Sequence, residues 1–195
     1  MTTMSLSTPD TSWDPSSAVE RASSGDQEAW AELVSRYTPR LYALAKSRLR
    51  SHHDAEEITQ SVLVTVADKI ASGVYKDQGR FEPWLFRIAM NRVRDEARRR
   101  SVHVSPTDPS DIPPTAVEDR AHEPERYDAL RAAVEALPDD DRRIIELRHS
   151  AGLPFRTISE LLGAPMGTLL ARHHRALKKL RTALESSHTN VGSNQ

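Results

Sequence analysis

Five prolines between positions 106 and 124 constrain this chain more than any other feature: Pro106, Pro109, Pro113, Pro114 and Pro124, set among scattered acids. Proline lacks the amide hydrogen that helix and sheet interiors need, and it biases the residue before it away from helix. Residues 101–127 therefore read as a linker, and the chain divides into two blocks. Charge divides the same way. Residues 18–100 carry 15 basic and 12 acidic side chains, residues 101–127 carry 2 and 6, and residues 128–184 carry 10 and 7. The formal net charge of −1 thus hides two mildly basic blocks with an acidic segment between them. Fully extended, about 25 residues reach at most ~80 Å. That spans about two turns of duplex DNA at roughly 34 Å each.

Both blocks read as helical. Glycine is sparse, aromatics make up 5% of the chain, and Ala, Leu, Arg and Glu are plentiful, a content that suits helices over sheet. Residues 1–17, rich in Ser, Thr, Pro and Asp, read as a disordered lead. Asp26 is the expected N-cap of a helix carrying Ala29, Trp30, Leu33, Val34 and Tyr37, and Leu41, Leu44, Ala45 and Leu49 extend the pattern after Pro39. Another helix is expected from Asp54, with Glu57 in a capping-box arrangement, through Ile58, Val62, Leu63 and Val66. A polar connection from Ser72 to Glu82 leads to a helix with Pro83 in its first turn. In the second block Leu130, Val134 and Leu137 mark a helix that Pro138 ends, and Asp139, Asp140 and Asp141 suit the N-terminus of the next. A short helix from Pro154 to Leu162, closed by Gly163, and a longer basic one from Pro165 to about Leu184 make a helix-turn-helix pattern. The expected fold class is all-α: two small helical domains joined by a flexible linker, the second a helix-turn-helix, with a short tail over 185–195.

Several function classes are excluded early. The absence of cysteine removes disulfides, thiolate catalysis and Cys-ligated zinc. With no apolar run near 18 residues and no basic-then-apolar start, neither membrane insertion nor a secretory leader is indicated, and the cytoplasm is the expected location. Enzyme chemistry finds no Gly-rich phosphate loop, no His-Glu-x-x-His motif and no Ser/His/Asp constellation. His52-His53 and His173-His174 are adjacent pairs, which point to different faces of a helix and suit no metal. No cofactor is expected.

The stretch Pro83–Arg100 is the best functional candidate. Leu85, Ala89, Val93 and Ala97 form an apolar stripe at helical period. Arg87, Asn91, Arg94 and Arg98 form a second stripe, offering three guanidinium forks and an amide. Those side chains bond readily to phosphates and base edges. Taken alone, such a stripe is more often a solvated basic surface.

Two segments carry a resemblance that decides between those readings. Asp54-Ala55-Glu56-Glu57-Ile58-Thr59-Gln60 is similar to the "D-A-E-D-L-V-Q" helix of the extracytoplasmic-function sigma factors of bacterial RNA polymerase. Phe81 to Asn91 resembles their "F-x-x-W-L-x-x-I-A-x-N" signature, with Asp95 and Arg98 at the following "D-x-x-R". Downstream, Leu137-Pro138 through Arg142, Ile158 to Gly163, and Gly167-Thr168-Leu169 resemble the "L-P…R", "E-I-A-x-x-L-G" and "G-T-V" landmarks. The resemblance implies a region 2-like domain over 18–100 that binds core polymerase and recognises and melts the −10 element. It implies a region 4-like domain over 128–184 that recognises the −35 element.

Carried over residue by residue, the resemblance places polymerase docking, on the coiled coil of the largest subunit, at Asp54, Glu56, Glu57 and Gln60. It gives Tyr75, Phe81, Arg87, Asn91, Arg94 and Arg98 to the −10 element, where unstacked bases need aromatic walls and polar edges. Trp84, at the start of an amphipathic helix, reads as core. Thr168, Arg172, His174, Arg175 and Lys178 fall to the −35 element, on a helix whose core stripe is Leu169, Ala176, Leu180 and Leu184. Partners implied are RNA polymerase core, promoter DNA and an anti-sigma protein. The chain departs from the family at Ser61, where an acid is usual, at Ala67, where Trp is common, and at Leu170 and Ala171, which replace polar positions. His173 falls in the apolar stripe, where it reads as a hydrogen-bonded core residue. Two alternatives stay open at this level: a stand-alone helix-turn-helix regulator, and a polymerase-binding protein with degraded −35 readout.

Overall fold

The computed structural model describes residues 13–49, 51–103 and 124–191. Among them every regular element is helical: α1 (Pro15–Ser23), α2 (Gln27–Leu49), α3 (His52–Ala71), α4 (Phe81–His103), α5 (Pro124–Glu135), α6 (Asp139–Ile145), a π-helical turn (Glu146–Ser150), α7 (Phe155–Leu162) and α8 (Met166–Val191). The expected lead over 1–17 lies outside the described residues up to position 12. Its end is not irregular, because Pro15 starts α1 and the Asp14 carboxylate accepts from the amides of Ser16 and Ser17. Pro and Asp, read as marks of disorder, here begin a helix. Of the segment read as a linker over 101–127, α4 takes the start by running on to His103 and α5 the end by starting at Pro124, while 104–123 lie outside the described residues. The expected tail over 185–195 is helical in its first part, since α8 continues to Val191; 192–195 lie outside the described residues.

Caps explain most of the boundaries. Asp26 accepts from the amides of Glu28 and Ala29, as an N-cap should. The third helix starts earlier than Asp54: Ser51 is its N-cap and accepts from the Asp54 amide. A serine two residues after a leucine is a weak signal beside an acid followed by Glu57, so the acid misleads. Gly163 closes α7 in the left-handed region at φ 64°, which glycine reaches without a Cβ penalty. Pro39 sits inside α2 without ending it, because buried Tyr37 and Leu41 on either side hold the helix against α1, α3 and α4.

The two blocks are packed against each other. One apolar cluster contains Leu33, Tyr37 and Leu41 of α2, Val62 and Val66 of α3, and Leu85, Phe86 and Ala89 of α4, together with Leu147, Leu153, Ile158, Leu161 and Leu169 from the second block. Polar side chains stitch the seam. Arg40 donates Nε to the Ala151 carbonyl at 2.8 Å and Nη1 to Glu82 at 2.6 Å. Glu82 also accepts from the hydroxyls of Tyr37 and Thr157. Arg48 pairs with Glu146 at 3.1 Å; burial pushes the Glu146 carboxyl above the usual carboxylate range, and Arg48 opposes that shift. The linker reading gave no sign of this contact, because composition shows where two blocks part and not whether their apolar faces match.

Candidate nucleic-acid interface

Helix α4 presents its two stripes as the periodicity predicts. Leu85, Ala89 and Val93 are buried, whereas Arg87, Asn91, Arg94 and Arg98 are exposed. Arg92, between them, turns to the opposite side and donates to Ser61 and Thr65 of α3. That contact accounts for a serine at position 61, since Arg92 takes its hydroxyl as an acceptor. Arg87 reaches the second block: its Nη2 donates to the Glu160 and Leu161 carbonyls, each at 3.4 Å. Those oxygens end α7, where the helix dipole is negative. Arg98 lies 3.7 Å from Asp95. Arg94 borders a small cleft of about 160 Å³ with Asp139, Arg143 and Glu146.

The two aromatics assigned to an unstacked base part company. Phe81 is 3% exposed and sits edge-on to Tyr37 at 5.3 Å, so it is a core residue and offers no face to a base. As the first residue of α4 it fills the gap between α2 and the loop. Tyr75 is half-buried, with one face stacked on Trp84 at 3.8 Å and its hydroxyl donating to Asp77 at 2.6 Å. Burial first, and then Asp77, push the Tyr75 phenol well above its ordinary value. Trp84 packs on the core, as expected of an aromatic at the start of an amphipathic helix.

On α3, Glu56, Glu57 and Gln60 are exposed together on one face. Asp54 is drawn inward and forms an ion pair with Arg100 at the far end of α4, which fixes the α3 start against α4.

The distal helix α8 buries Leu169, Ala176 and Leu180. Thr168, His174, Arg175 and Lys178 are exposed. Arg172 is half-buried and donates to Asp140 on α6 at 2.6 Å; that bond holds the Asp140 carboxyl below the usual carboxylate range. His173 is half-buried, its Nε2 lying 2.9 Å from Nε2 of His149 and its ring 5.1 Å edge-on from Phe155. The hydrogen bond expected of His173 is present, but the ring is only half-buried and is not part of the core. Arg40, Arg48, Glu82 and Glu146, which hold the blocks together, were not singled out from sequence. Nothing local marks them, since each has its partner 42 to 111 positions away.

Comparison with known proteins follows the same division. Residues 33–102 match the family model "Sigma-70 region 2" and residues 127–180 match "Sigma-70, region 4". The chain is 32% identical over 179 residues to the ECF RNA polymerase sigma factor SigE of Mycolicibacterium smegmatis, covering 88% of this chain and 68% of that protein. It is 30% identical over 178 residues to the ECF RNA polymerase sigma factor SigW of Bacillus subtilis, covering 85% and 94%. Its fold matches that of the sigma factor RpoE solved with the anti-sigma factor NepR from Bartonella quintana, with a TM-score of 0.61 at 24% identity over 80% of this chain and 96% of that one. Both halves match in the order the helices require, so the stand-alone regulator is not favoured. An exposed Arg/Asn stripe on one domain, a helix-turn-helix on the other and relatives spanning both identify the chain as a member of the extracytoplasmic-function (ECF) sigma factors of RNA polymerase.

Proposed function

We propose that this sigma factor docks on core polymerase through Glu56, Glu57 and Gln60 of α3, with Asp54 positioning that face through Arg100. The Arg87, Asn91, Arg94 and Arg98 stripe of α4 then holds the opened −10 strand, with Tyr75 at its edge, and the N-terminal half of α8 meets the −35 duplex through Thr168, His174, Arg175 and Lys178. The observation that carries this reading is the division of α4. One stripe is locked in the core, so the helix is rigid, and the other is exposed as a row of donors, so phosphates and base edges meet a preorganised surface. Guanidinium forks suit phosphate bidentately and the Asn amide suits a base edge. In this reading the chain does no covalent chemistry. It supplies binding energy that favours a melted promoter, in the cytoplasm where polymerase and DNA meet. An anti-sigma protein is a further expected partner, as it is for the RpoE relative.

Purified chain added to bacterial core polymerase should create new transcript start sites and co-elute with core on gel filtration. Asn91→Ala combined with Arg94→Ala should abolish specific initiation and leave co-elution intact. Normal start-site use by that double variant would remove α4 from the DNA interface.

A further inference from the structure

The exposed face at the start of α8 carries two large aliphatic side chains. Met166 is 44% exposed and Leu170 is 45% exposed, although Leu169 beside it is 1% exposed and in the core. Thr168 and Ala171 are exposed around them. In a helix-turn-helix, the N-terminal residues of the second helix are those that meet base edges in the major groove. Met166 and Leu170 lie one turn apart, about 6 Å along the axis, close to two base steps at roughly 3.4 Å each.

Arg175 and Lys178, one and two turns further on, are exposed for phosphate, and no acid occurs between Glu160 and Glu185. That charge favours duplex DNA over an apolar protein partner as the occupant of this face. Arg172, two residues on from Leu170, is already engaged by Asp140. An aliphatic side chain can neither donate nor accept a hydrogen bond. The major groove offers it one apolar group among the unmodified bases, the C5 methyl of thymine.

We infer that Leu170, with Met166 one turn before it, reads thymine methyl groups in the −35 duplex and so sets part of the promoter specificity. The inference rests on the polymerase-factor reading above. It assigns to apolar contact the discrimination that hydrogen bonds from this part of the helix do not supply.

The test uses holoenzyme, the full chain bound to core polymerase, and a pool of promoter duplexes randomised across the upstream element. The best-bound duplex is resynthesised with each thymine of that element replaced in turn by uracil, which removes the methyl and leaves every donor and acceptor in place. At one or two positions the replacement should weaken binding about fourfold, the value of one buried carbon. Holoenzyme carrying Leu170→Ala, which keeps its fold because the side chain is exposed, should bind the thymine and uracil duplexes alike. Met166→Ala should do the same at the second position.

Indifference of the unaltered holoenzyme to uracil at every position would overturn the inference, as would selection of an element without thymine. So would a Leu170→Ala variant that keeps the full uracil penalty, or one whose loss is in binding a protein partner. Those failures leave start-site selection intact. Failure to form holoenzyme at all would instead take down the broader reading and this one together.

Discussion

At the scale of single residues, the His149–His173 pair has the clearest solution behaviour. The ring planes are within 13° and the centroids 5.2 Å apart, so the two Nε2 atoms face each other along one N–H···N bond. That bond needs one ring to donate and the other to accept, and it is lost when both are cationic. Burial, followed by Arg148, holds His149 below the ordinary histidine value, and burial, followed by His149, Arg148 and His174, does the same for His173. Lys46 and Arg48 of α2 and Arg131 of α5 border the same groove as His149, with Glu135 and Glu146 as its acids. A depressed folded-state value means the unfolded chain binds protons more readily. The pair's contribution is therefore full above pH ~6.5 and lost as pH falls below it. The melting temperature should drop between pH 7.5 and 5.5, and less steeply for His173→Leu; equal slopes would place the titration elsewhere. That an imidazole in the apolar stripe would be hydrogen-bonded was legible from the stripe alone. Its partner was not, because His149 is set opposite by a π-helical turn that no local pattern announces.

At the scale of elements, α8 and α6 act together. Asp140 neutralises Arg172, whereas Arg175 stands exposed. Each phosphate contact contributes about one unit to the salt slope of binding. Arg175→Ala should thus flatten the slope by about one unit, and Arg172→Ala by clearly less, in a titration of duplex affinity against salt. Equal losses would mean that Arg172 leaves Asp140 on binding. Helix periods, the glycine after α7 and the Asp26 cap were all readable, since each is a local preference. Phe81 as core was not, since it depends on the Tyr37, Tyr75 and Trp84 rings packed around it; the Ser51 cap is local, but the acid at Asp54 outweighs it as a signal. The candidate site divides on the same line: the exposed stripe of α4 follows from its period, while the inward turn of Asp54 depends on Arg100, 46 positions away.

At the scale of the whole molecule, the closed seam between the blocks is the dominant feature. Under the proposed function the two DNA surfaces must serve elements about two duplex turns apart, roughly 70 Å, yet α4 and α7 are in direct contact through Arg87 and the shared core. On that reading polymerase separates them. The chain has no cysteine, so Ser72→Cys and Ser186→Cys, both at exposed positions, allow a dye on each block without background labelling. Energy transfer between the dyes should fall when core polymerase is added. Transfer that stays constant through promoter binding would show that the blocks work without opening.

Under the proposed function, the bond from Arg87 to the end of α7 makes the second block a competitor of the DNA strand for one guanidinium. It is a tethered competitor, and placing two sites on one chain makes their encounter intramolecular, so its strength does not depend on protein concentration. Dilution does not remove such a competitor, and adding more protein does not outrun it. On the proposed reading, strand capture by the free chain is suppressed by a constant factor at every concentration, and a partner that holds the blocks apart lifts it.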